Sequence, residues 1–377
     1  MPNTLVIVLS ETRASETTFH GFKKNVLDVL NADLCVCIGV KSDYNYEDLY
    51  YKAAKYRFLC NETGDYVDLF ERAYNAIKIN GPKYEKFEGI NTLYGKIKEP
   101  KQSSDTITYY GNTIPNINDI DDTEIIVHSD NFPDNYWKNE VYGVKHNDGT
   151  YVKQEHVTTY KKGLHWKVFL EQKRQFMGPL GGHPGSAGIL IFFRWFLLRN
   201  LIDSNLINMY DKFIITRSDF IYQLPHPPLD LLNMEYIWFP NGEQYGGYTD
   251  RHVILSRENV SKYLDIFNNF VLKSNDYSSK IHGSSILNLE QIIKFNLDEN
   301  KVGHLVKYFP YVMYSIRNIN GPSRWAQGTY FDELGYCIKY DSEYQESTKH
   351  KNAYEQSGLS ISDFYKKAIE ESNTKLP

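Results

Sequence analysis

Long hydrophobic runs and basic blocks are both missing from this sequence of 377 residues. The longest apolar stretch, 189–202, is interrupted by Arg194 and Arg199. It is also shorter than the roughly 20 residues that a membrane-spanning helix needs. The formal net charge is -5, and no cluster of lysine and arginine suits a nucleic acid backbone. We therefore expect neither a transmembrane segment nor a nucleic acid partner.

Paired cysteines are missing as well. The four cysteines of the chain form neither a CxxC pair nor a metal-binding spacing, which is typical of a reducing compartment. Residues 1–9 lack a basic start followed by a long apolar region, so we expect no signal peptide. These absences predict a cytoplasmic protein, located in the host cytoplasm if the source is viral.

Four signature motifs of common enzyme classes are absent. Neither a GxxxxGKS/T phosphate loop nor a strand-linked GxGxxG occurs, which argues against the usual nucleotide loops. HExxH and GxSxG are absent too, which argues against zinc proteases and α/β-hydrolases.

Buried strands and helices alternate from the first residues. Apolar runs at Thr4–Leu9 and Leu34–Ile38 predict strands, and helical spacing follows each of them. This alternation is typical of a Rossmann-like parallel sheet. We expect an α/β protein with a mixed, mostly parallel sheet that is flanked by helices.

The same patterns suggest one domain over residues 1–340. Residues 80–125 lose the alternation, and His146–Gly149 reads as a hairpin turn, so we expect an inserted hairpin and loop region at 80–160. Residues 341–377 are polar and are expected to form a partly helical tail.

The most informative motif follows the apolar strand at Phe213–Thr216, which ends in Arg217-Ser218-Asp219. Ligands of α/β sheets bind beyond the carboxyl ends of the strands, and side chains two apart on an extended segment share a face. A carboxylate holds Mg²⁺ or Mn²⁺, and a guanidinium clamps phosphate. The pair therefore suits a diphosphate-bearing substrate. A local ion pair at the strand end is the alternative.

The first strand also ends in polar residues, Ser10-Glu11-Thr12-Arg13. Because parallel strands end at one edge, Arg13 and Arg217 are expected to face a common cleft. Ser10 and Thr12 are then candidates for binding the donor. Pairing of Arg13 with Glu16 is the alternative.

Two acidic residues are candidates for catalysis. Asp250 follows glycines that allow a ligand to approach, and it suits a general base on an acceptor hydroxyl. A surface turn formed with Arg251 is the alternative. Glu290 opens a helix, where an acid usually only satisfies the first backbone donors.

Two further candidates lie elsewhere in the chain. Gly181, Gly182 and His183 belong to a glycine-rich loop that either covers the donor or acts as a hinge. His304 is a candidate to complete a metal shell with Asp219, although a lone histidine is more often structural.

In this order the features resemble the GT-A-like glycosyltransferases of bacterial surface-polysaccharide clusters and large DNA viruses. The likeness covers roughly Thr4 to Arg317 and depends on short motifs, above all Arg217-x-Asp219 followed by Asp250-Arg251 and Glu290. It implies that Asp219 binds the metal-diphosphate of a nucleotide-sugar, with Mn²⁺ or Mg²⁺ as cofactor. Arg217 and Arg13 then lie near the donor and Asp250 on the acceptor side.

The sequence thus predicts a glycosyltransferase, of hexosyl or pentosyl type, that moves a sugar from a nucleotide-sugar to a glycan hydroxyl. A non-catalytic glycan-binding or structural protein on the same fold is the alternative, since the chain is rich in tyrosine, with 31 residues. A sugar nucleotidyltransferase is a third possibility, but the expected Lys- and Gly-rich phosphate loop is missing near the first strand.

Overall fold

A computed structural model describes residues 3–41, 43–61, 125–129, 187–272, 288–321 and 326–374. The strands in these ranges are β1 (Thr4–Ser10), β2 (Asp33–Val40), β3 (Tyr56–Asn61), β4 (Ile125–Ser129), β5 (Lys212–Thr216), β6 (Phe220–Tyr222), β7 (Ile237–Pro240), β8 (Val253–Ser256), β9 (Val306–Phe309), β10 (Met313–Arg317), β11 (Thr329–Phe331) and β12 (Tyr336–Ile338). The helices are α1 (Ser15–Phe22) with a π-helical continuation (Lys23–Asp28), α2 (Leu49–Ala53), α3 (Ala187–Asp203), α4 (Leu206–Met209), α5 (Arg257–Leu264), α6 (Ile266–Leu272), α7 (Leu289–Glu299), α8 (Asp341–Ser357) and α9 (Ile361–Thr374), with a 3-10 turn at Gly303–Leu305.

The main sheet has eight strands in the order β4-β3-β2-β1-β5-β8-β7-β9. Neighbouring strands pair in parallel except at β8, which is antiparallel to both β5 and β7. The prediction of a mixed, mostly parallel sheet flanked by helices is therefore confirmed.

Both faces of this sheet are covered, because successive side chains of a strand point to opposite sides. Leu5 and Ile7 of β1 pack in one core with α3, α5, α6 and α7. Val6 and Val8 pack in the other with α1, α2 and α9. Each such side chain contributes roughly 1.5–3 kcal/mol through burial. The uninterrupted apolar runs in the sequence follow from this two-sided burial.

A second, smaller sheet has the order β11-β12-β10-β6 and is antiparallel. Its strand β6 begins directly after Asp219, so the turn at 217–219 lies where the two sheets meet. The backbone nitrogen of Ile316 donates to the carbonyl of Asp219 at 2.8 Å. This register brings the end of β10 beside the end of β5.

The carboxyl-terminal segment is not an appended tail, which corrects the expectation for residues 341–377. Helices α8 and α9 form there, and Phe364, Tyr365 and Ile369 of α9 are buried in the core. The Tyr365 hydroxyl also donates to the carbonyl of Pro225 at 2.5 Å. Among the residues that the structure describes, no helix has the length and hydrophobicity that a membrane crossing needs.

Some predicted features lie outside the described residues. They are the hairpin turn at 146–149, the loop with Gly181, Gly182 and His183, and the inserted region at 80–160 apart from β4. Strand β4 pairs in parallel with β3, as its apolar pattern predicts.

Two buried histidines contact each other beside β5. Nε2 of His226 lies 3.3 Å from Nε2 of His252, whose Nδ1 lies 3.0 Å from the Thr216 hydroxyl. Nδ1 of His226 donates to the Pro227 carbonyl at 2.8 Å. Burial lowers the pKa of His226 from 6.5 to about 4. Burial and the charge of His226 also lower the pKa of His252.

We expect the free energy of unfolding to fall as the pH drops from 6.5 towards 4, because the unfolded chain takes up protons that these buried rings resist. For His226 alone the loss between pH 7 and pH 5 is about 2 kcal/mol. Urea unfolding at the two pH values measures it. Carboxylates add to the loss in the wild type, so the reference is H226F, which lacks one titrating ring. A pH difference as large in H226F as in the wild type would contradict the assignment.

Candidate functional site

Charged side chains gather at the carboxyl edge of the main sheet. Strands β1, β5 and β7 end at this edge, and the antiparallel strand β8 begins there. Asp250 and Arg251, just before β8, therefore lie beside the ends of the other strands. Arg317 and Lys339 arrive from the second sheet, at the ends of β10 and β12. Five separate chain segments therefore supply one set of ionisable groups.

Asp219 lies at the centre of the first group and is closed on two sides by arginine. Its Oδ1 accepts from Nε of Arg217 at 2.9 Å, and its Oδ2 accepts from Nη2 of Arg217 at 2.7 Å and from Nη1 of Arg317. The side chain of Asp219 is 2% exposed. Burial alone would raise the pKa of this carboxyl, but the charges of Arg217 and Arg317 outweigh it and hold the pKa well below its ordinary value. The local ion pair that was the alternative interpretation of this motif is thus present, and it includes a third residue, Arg317.

A hydroxyl connects this group to the first strand. The backbone nitrogen of Arg13 donates to Oγ of Ser218 at 2.8 Å, and Ser218 in turn donates to the carbonyl of Glu11 at 3.1 Å. The segments that carry Arg13 and Arg217 are therefore in contact, whereas a common cleft for the two side chains stays a prediction. The Arg13 guanidinium pairs with Glu11 rather than with Glu16.

We define Arg13, Arg217, Arg317 and Lys339 as the cationic cluster. Burial and the charges of Arg217 and Arg317 lower the pKa of Lys339 to about 6, so these positive groups lie close together. Within the described residues, Nε of Arg13 and Nε of Arg317 are buried without a hydrogen-bond partner. The side chains of Arg13 and Arg217 are 24% and 22% exposed, whereas that of Arg317 is 3% exposed. Arg13 and Arg217 are thus more exposed than Arg317.

A second group has the opposite charge balance, because one guanidinium, that of Arg251, is surrounded by carboxylates. The nitrogen–oxygen distances from it are 2.5 Å to Glu343, 3.2 Å to Glu243, 3.4 Å to Asp250 and 3.5 Å to Glu290. The rings of Tyr245 and Tyr340 lie 5.6 and 5.1 Å from the guanidinium carbon, within cation–π range. We call these carboxylates and Arg251 the Arg251 cluster.

Asp250 and Glu290 share the same nitrogen of Arg251, Nη1, and their environments push their pKa values apart. Burial would raise the pKa of Asp250, but the charges of Arg251, Arg217 and Arg194 outweigh it and lower the pKa. Burial and the negative charge of Asp250 raise the pKa of Glu290 to about 7. Two carboxyl groups separated in this way suit acid–base chemistry.

For Asp250 the alternative is not what the structure shows, whereas for Glu290 it is present in part, because a backbone hydrogen bond of the first helical turn reaches its carboxylate. Asp250 is ion-paired with Arg251, but the pair is buried and forms no surface turn. Helix α7 is capped by Asn288, whose side chain accepts from the backbone nitrogen of Gln291 at 2.8 Å. The Glu290 carboxylate takes the backbone contact of this first turn and also lies 3.5 Å from Nη1 of Arg251.

Backbone strain is concentrated around this edge. Ser10 and Ala14 have φ values of 78° and 52° on either side of the Glu11–Arg13 segment. Glu243 and Tyr245, in the loop after β7, have φ values of 57° and 42°. Such residues cost of order 1–3 kcal/mol each and persist where the surroundings over-determine them, often at functional sites.

The prediction of a metal shell formed by Asp219 and His304 is corrected by the sheet topology. His304 is exposed and precedes β9, at the amino edge of the sheet, whereas Asp219 follows β5 at the carboxyl edge. The oxygens of Asp219 are already engaged by Arg217 and Arg317. In the part of the chain that the structure describes, no group of three or more His, Cys, Asp or Glu side chains could hold a metal ion. The donor set around Asp219 therefore does not fit a divalent cation.

Several residues of the site were missed by sequence reasoning. They are Glu243, Arg317, Lys339 and Glu343. Arg317 stands at the end of a predicted strand, a position that also drew attention to Arg13 and Arg217. For Glu343 the polar sequence around it carried no signal.

Comparison of the chain with models of known families and with curated proteins yields no match. The geometry of the two clusters is therefore the basis for assigning a function.

Gly247 holds the loop of Asp250 against α7. A Cβ atom at this position would lie 2.0 Å from the carbonyl oxygen of Glu290, a backbone atom that accepts from Tyr248 at 3.0 Å. We expect G247A to lower stability by roughly 1–3 kcal/mol, because backbone has to move. Thermal unfolding measures it.

The matched control is G21A in α1, where an added Cβ meets nothing within 4 Å. That variant should be as stable as the wild type or up to about 1 kcal/mol more stable, since alanine favours helix. Equal stability of G247A and G21A would show that the loop and α7 are not packed as described.

Proposed function

We propose that the protein is a glycosyltransferase that moves a sugar from a nucleotide-diphosphate donor to a glycan hydroxyl. One observation supports this above the others: the cationic cluster adjoins the Asp250–Glu290 pair at the carboxyl edge of the sheet. Arg217 links the two, because its charge acts on the pKa of both Asp219 and Asp250. Ligands of α/β sheets bind at this edge.

The two clusters match the two electrostatic needs of sugar transfer. As the bond between the anomeric carbon and the diphosphate breaks, its electron pair stays on the diphosphate, where positive groups stabilise it. The acceptor hydroxyl has to lose a proton while its oxygen forms the new bond to that carbon, which requires a base. The cationic cluster suits the first need and the carboxyl pair suits the second.

Glu290 suits the base better than Asp250, the residue that the sequence favoured. A carboxylate is an effective base when its pKa lies near the working pH, and the pKa of Glu290 is raised by burial and by the charge of Asp250. In direct displacement the acceptor proton passes to the Glu290 carboxylate. Asp250 remains ionised beside it and holds the acceptor through its carboxylate oxygens.

The rest of the assignment concerns the donor. Ser10 ends β1 and Thr12 follows it, next to Arg13, and we assign the donor to this strand end. The Thr12 hydroxyl lies 2.9 Å from the hydroxyl of Tyr44, which fixes the loop after β2 against it. Location in the cytoplasm stays a prediction. Assistance by Mn²⁺ or Mg²⁺ was predicted through Asp219, whose oxygens are taken by Arg217 and Arg317, so we do not include a metal in this assignment. The resemblance to GT-A-like enzymes agrees with the sheet but adds no independent test.

A non-catalytic glycan-binding or structural protein is the second candidate, because a closed ion pair such as Asp219 with two arginines also serves architecture alone. Calorimetry with uridine, guanosine, adenosine and thymidine diphosphate sugars separates the two. A transferase binds at least one of these donors, and R217Q weakens that binding. Failure of all donors to bind would favour the second candidate.

The pH dependence of the reaction tests the base. We expect donor turnover to fall as the pH drops through about 7, because Glu290 becomes protonated. E290Q should be slower by roughly 10²–10⁴-fold and lose this dependence. The rate is measured as hydrolysis of whichever donor binds, over pH 5 to 9.

D250N provides the control for this experiment. Removing the negative charge beside Glu290 lowers the pKa of Glu290, so the acid limb of the profile should move to lower pH. An acid limb that remains in E290Q would remove Glu290 from the base role.

A further inference from the structure

We infer that the cationic cluster holds the donor diphosphate and neutralises its departing charge without a divalent metal ion. This inference rests on the proposed function and names how its donor site works. Asp219 is then a positioning residue, which aligns Arg217 and Arg317, and not a metal ligand.

The engagement of Asp219 is the first reason. Arg217 binds its carboxylate through two nitrogens in the forked geometry that guanidinium and carboxylate favour, and Arg317 takes a further position on Oδ2. A hard divalent ion needs several oxygen ligands. With the side chain 2% exposed, such an ion would have to displace two guanidinium groups that are already in place.

The charge balance is the second reason. Three guanidinium groups, those of Arg13, Arg217 and Arg317, are matched directly by only two carboxylates, Glu11 and Asp219. The surplus is positive, which is the sign that an anion needs and a metal ion does not. A diphosphate carries negative charge on both phosphorus groups and can bridge cations that come from different segments.

Unused donors are the third reason. Nε of Arg13 and Nε of Arg317 are buried and without a partner within the described residues, which costs free energy unless a ligand satisfies them. Arg317 itself is 3% exposed, so its nitrogen is not satisfied by bulk water. An anion seated against Arg13 would supply a partner for its Nε and would offset the charges of Arg217 and Arg317 beside it.

Lys339 adds a feature that only an anion explains well. Burial and the like charges of Arg217, Arg317 and Arg251 lower the pKa of this partly buried ammonium, and the charge of Asp219 opposes them. The side chain also lies 4.6 Å from the ring of Tyr340. The protein therefore maintains a lysine where its charge is disfavoured, and a bound diphosphate removes that penalty.

The experiment is calorimetric titration of the full chain with inorganic pyrophosphate and with uridine and guanosine diphosphate. Each titration is made once in EDTA and once with excess MnCl2. The inference predicts dissociation constants that agree within about threefold between the two conditions, since the protein supplies the cations. Manganese that binds pyrophosphate in solution is corrected for with a titration lacking protein.

K339M tests the cluster itself, with K23M as its matched control. Lys23 is exposed, pairs with Asp28 at 2.5 Å and lies outside both clusters. We expect K339M to bind pyrophosphate at least tenfold more weakly in EDTA, and K23M to bind like the wild type. Because the change removes repulsion among buried cations, the melting temperature of K339M should equal or exceed that of the wild type. Weak binding by a stable variant excludes misfolding as its cause.

Each other outcome has a definite meaning. Binding that needs manganese overturns the metal-free inference and leaves the proposed function in place. Unchanged binding by K339M in EDTA removes Lys339 from the site and overturns the inference as stated. Absence of binding by pyrophosphate and both nucleotides, with or without manganese, overturns the inference together with the donor site of the proposed function.

Discussion

The ion pair of Asp219 with Arg217 and Arg317 is the constraint on which the rest of the site depends. Asp219 stands between β5 of the main sheet and β6 of the second sheet, and Arg317 ends β10 beside it. Burying these charges costs several kcal/mol per ion, which is repaid only by good geometry and further hydrogen bonds. Removing the carboxylate would leave two guanidinium groups uncompensated, at a cost of roughly 3–5 kcal/mol. The pair therefore holds the two sheets and the cationic cluster in one arrangement.

Around this ion pair, positive and negative side chains are gathered in two separate clusters instead of being paired one to one. The cationic cluster has a surplus of positive charge, whereas the Arg251 cluster places four carboxylates on one guanidinium. Both arrangements cost stability in the free protein, and the strained backbone at Ser10 and Tyr245 adds to that cost. Perturbed groups of this kind cluster at functional sites more often than in architecture. A donor anion beside the first cluster and an acceptor hydroxyl beside the second would relieve both.

The strands and the neighbouring strand ends of this site could be predicted from the sequence. Apolar runs predicted β1, β2 and β5. The shared edge of parallel strands predicted that the segments after β1 and β5 lie together, and the hydrogen bond from the Arg13 backbone to Ser218 joins them. The role of Arg317 was not predicted because its position depends on the antiparallel pairing of β10 with β6. These segments are almost a hundred residues apart in the chain. The role of Glu343 was not predicted for a different reason. Its helix is polar on most positions, as a solvated tail would be, and only the buried Arg251 distinguishes this carboxylate from its neighbours.

The burial of Asp219 was the property hardest to predict from the sequence, and it changes the role that we give to the carboxylate of Arg217-Ser218-Asp219. Two carboxylates two residues apart repel each other and are relieved by a cation, which is why such a pair attracts a metal ion. With arginine at position 217 the relieving cation is already part of the chain. Arg317 then carries the local charge past neutrality to a positive value. With Arg217 and Arg317 in place, the strand end suits an anion, such as the phosphate oxygens of the proposed donor, better than a metal ion. The same carboxylate that would have been a ligand becomes the support for the arginines.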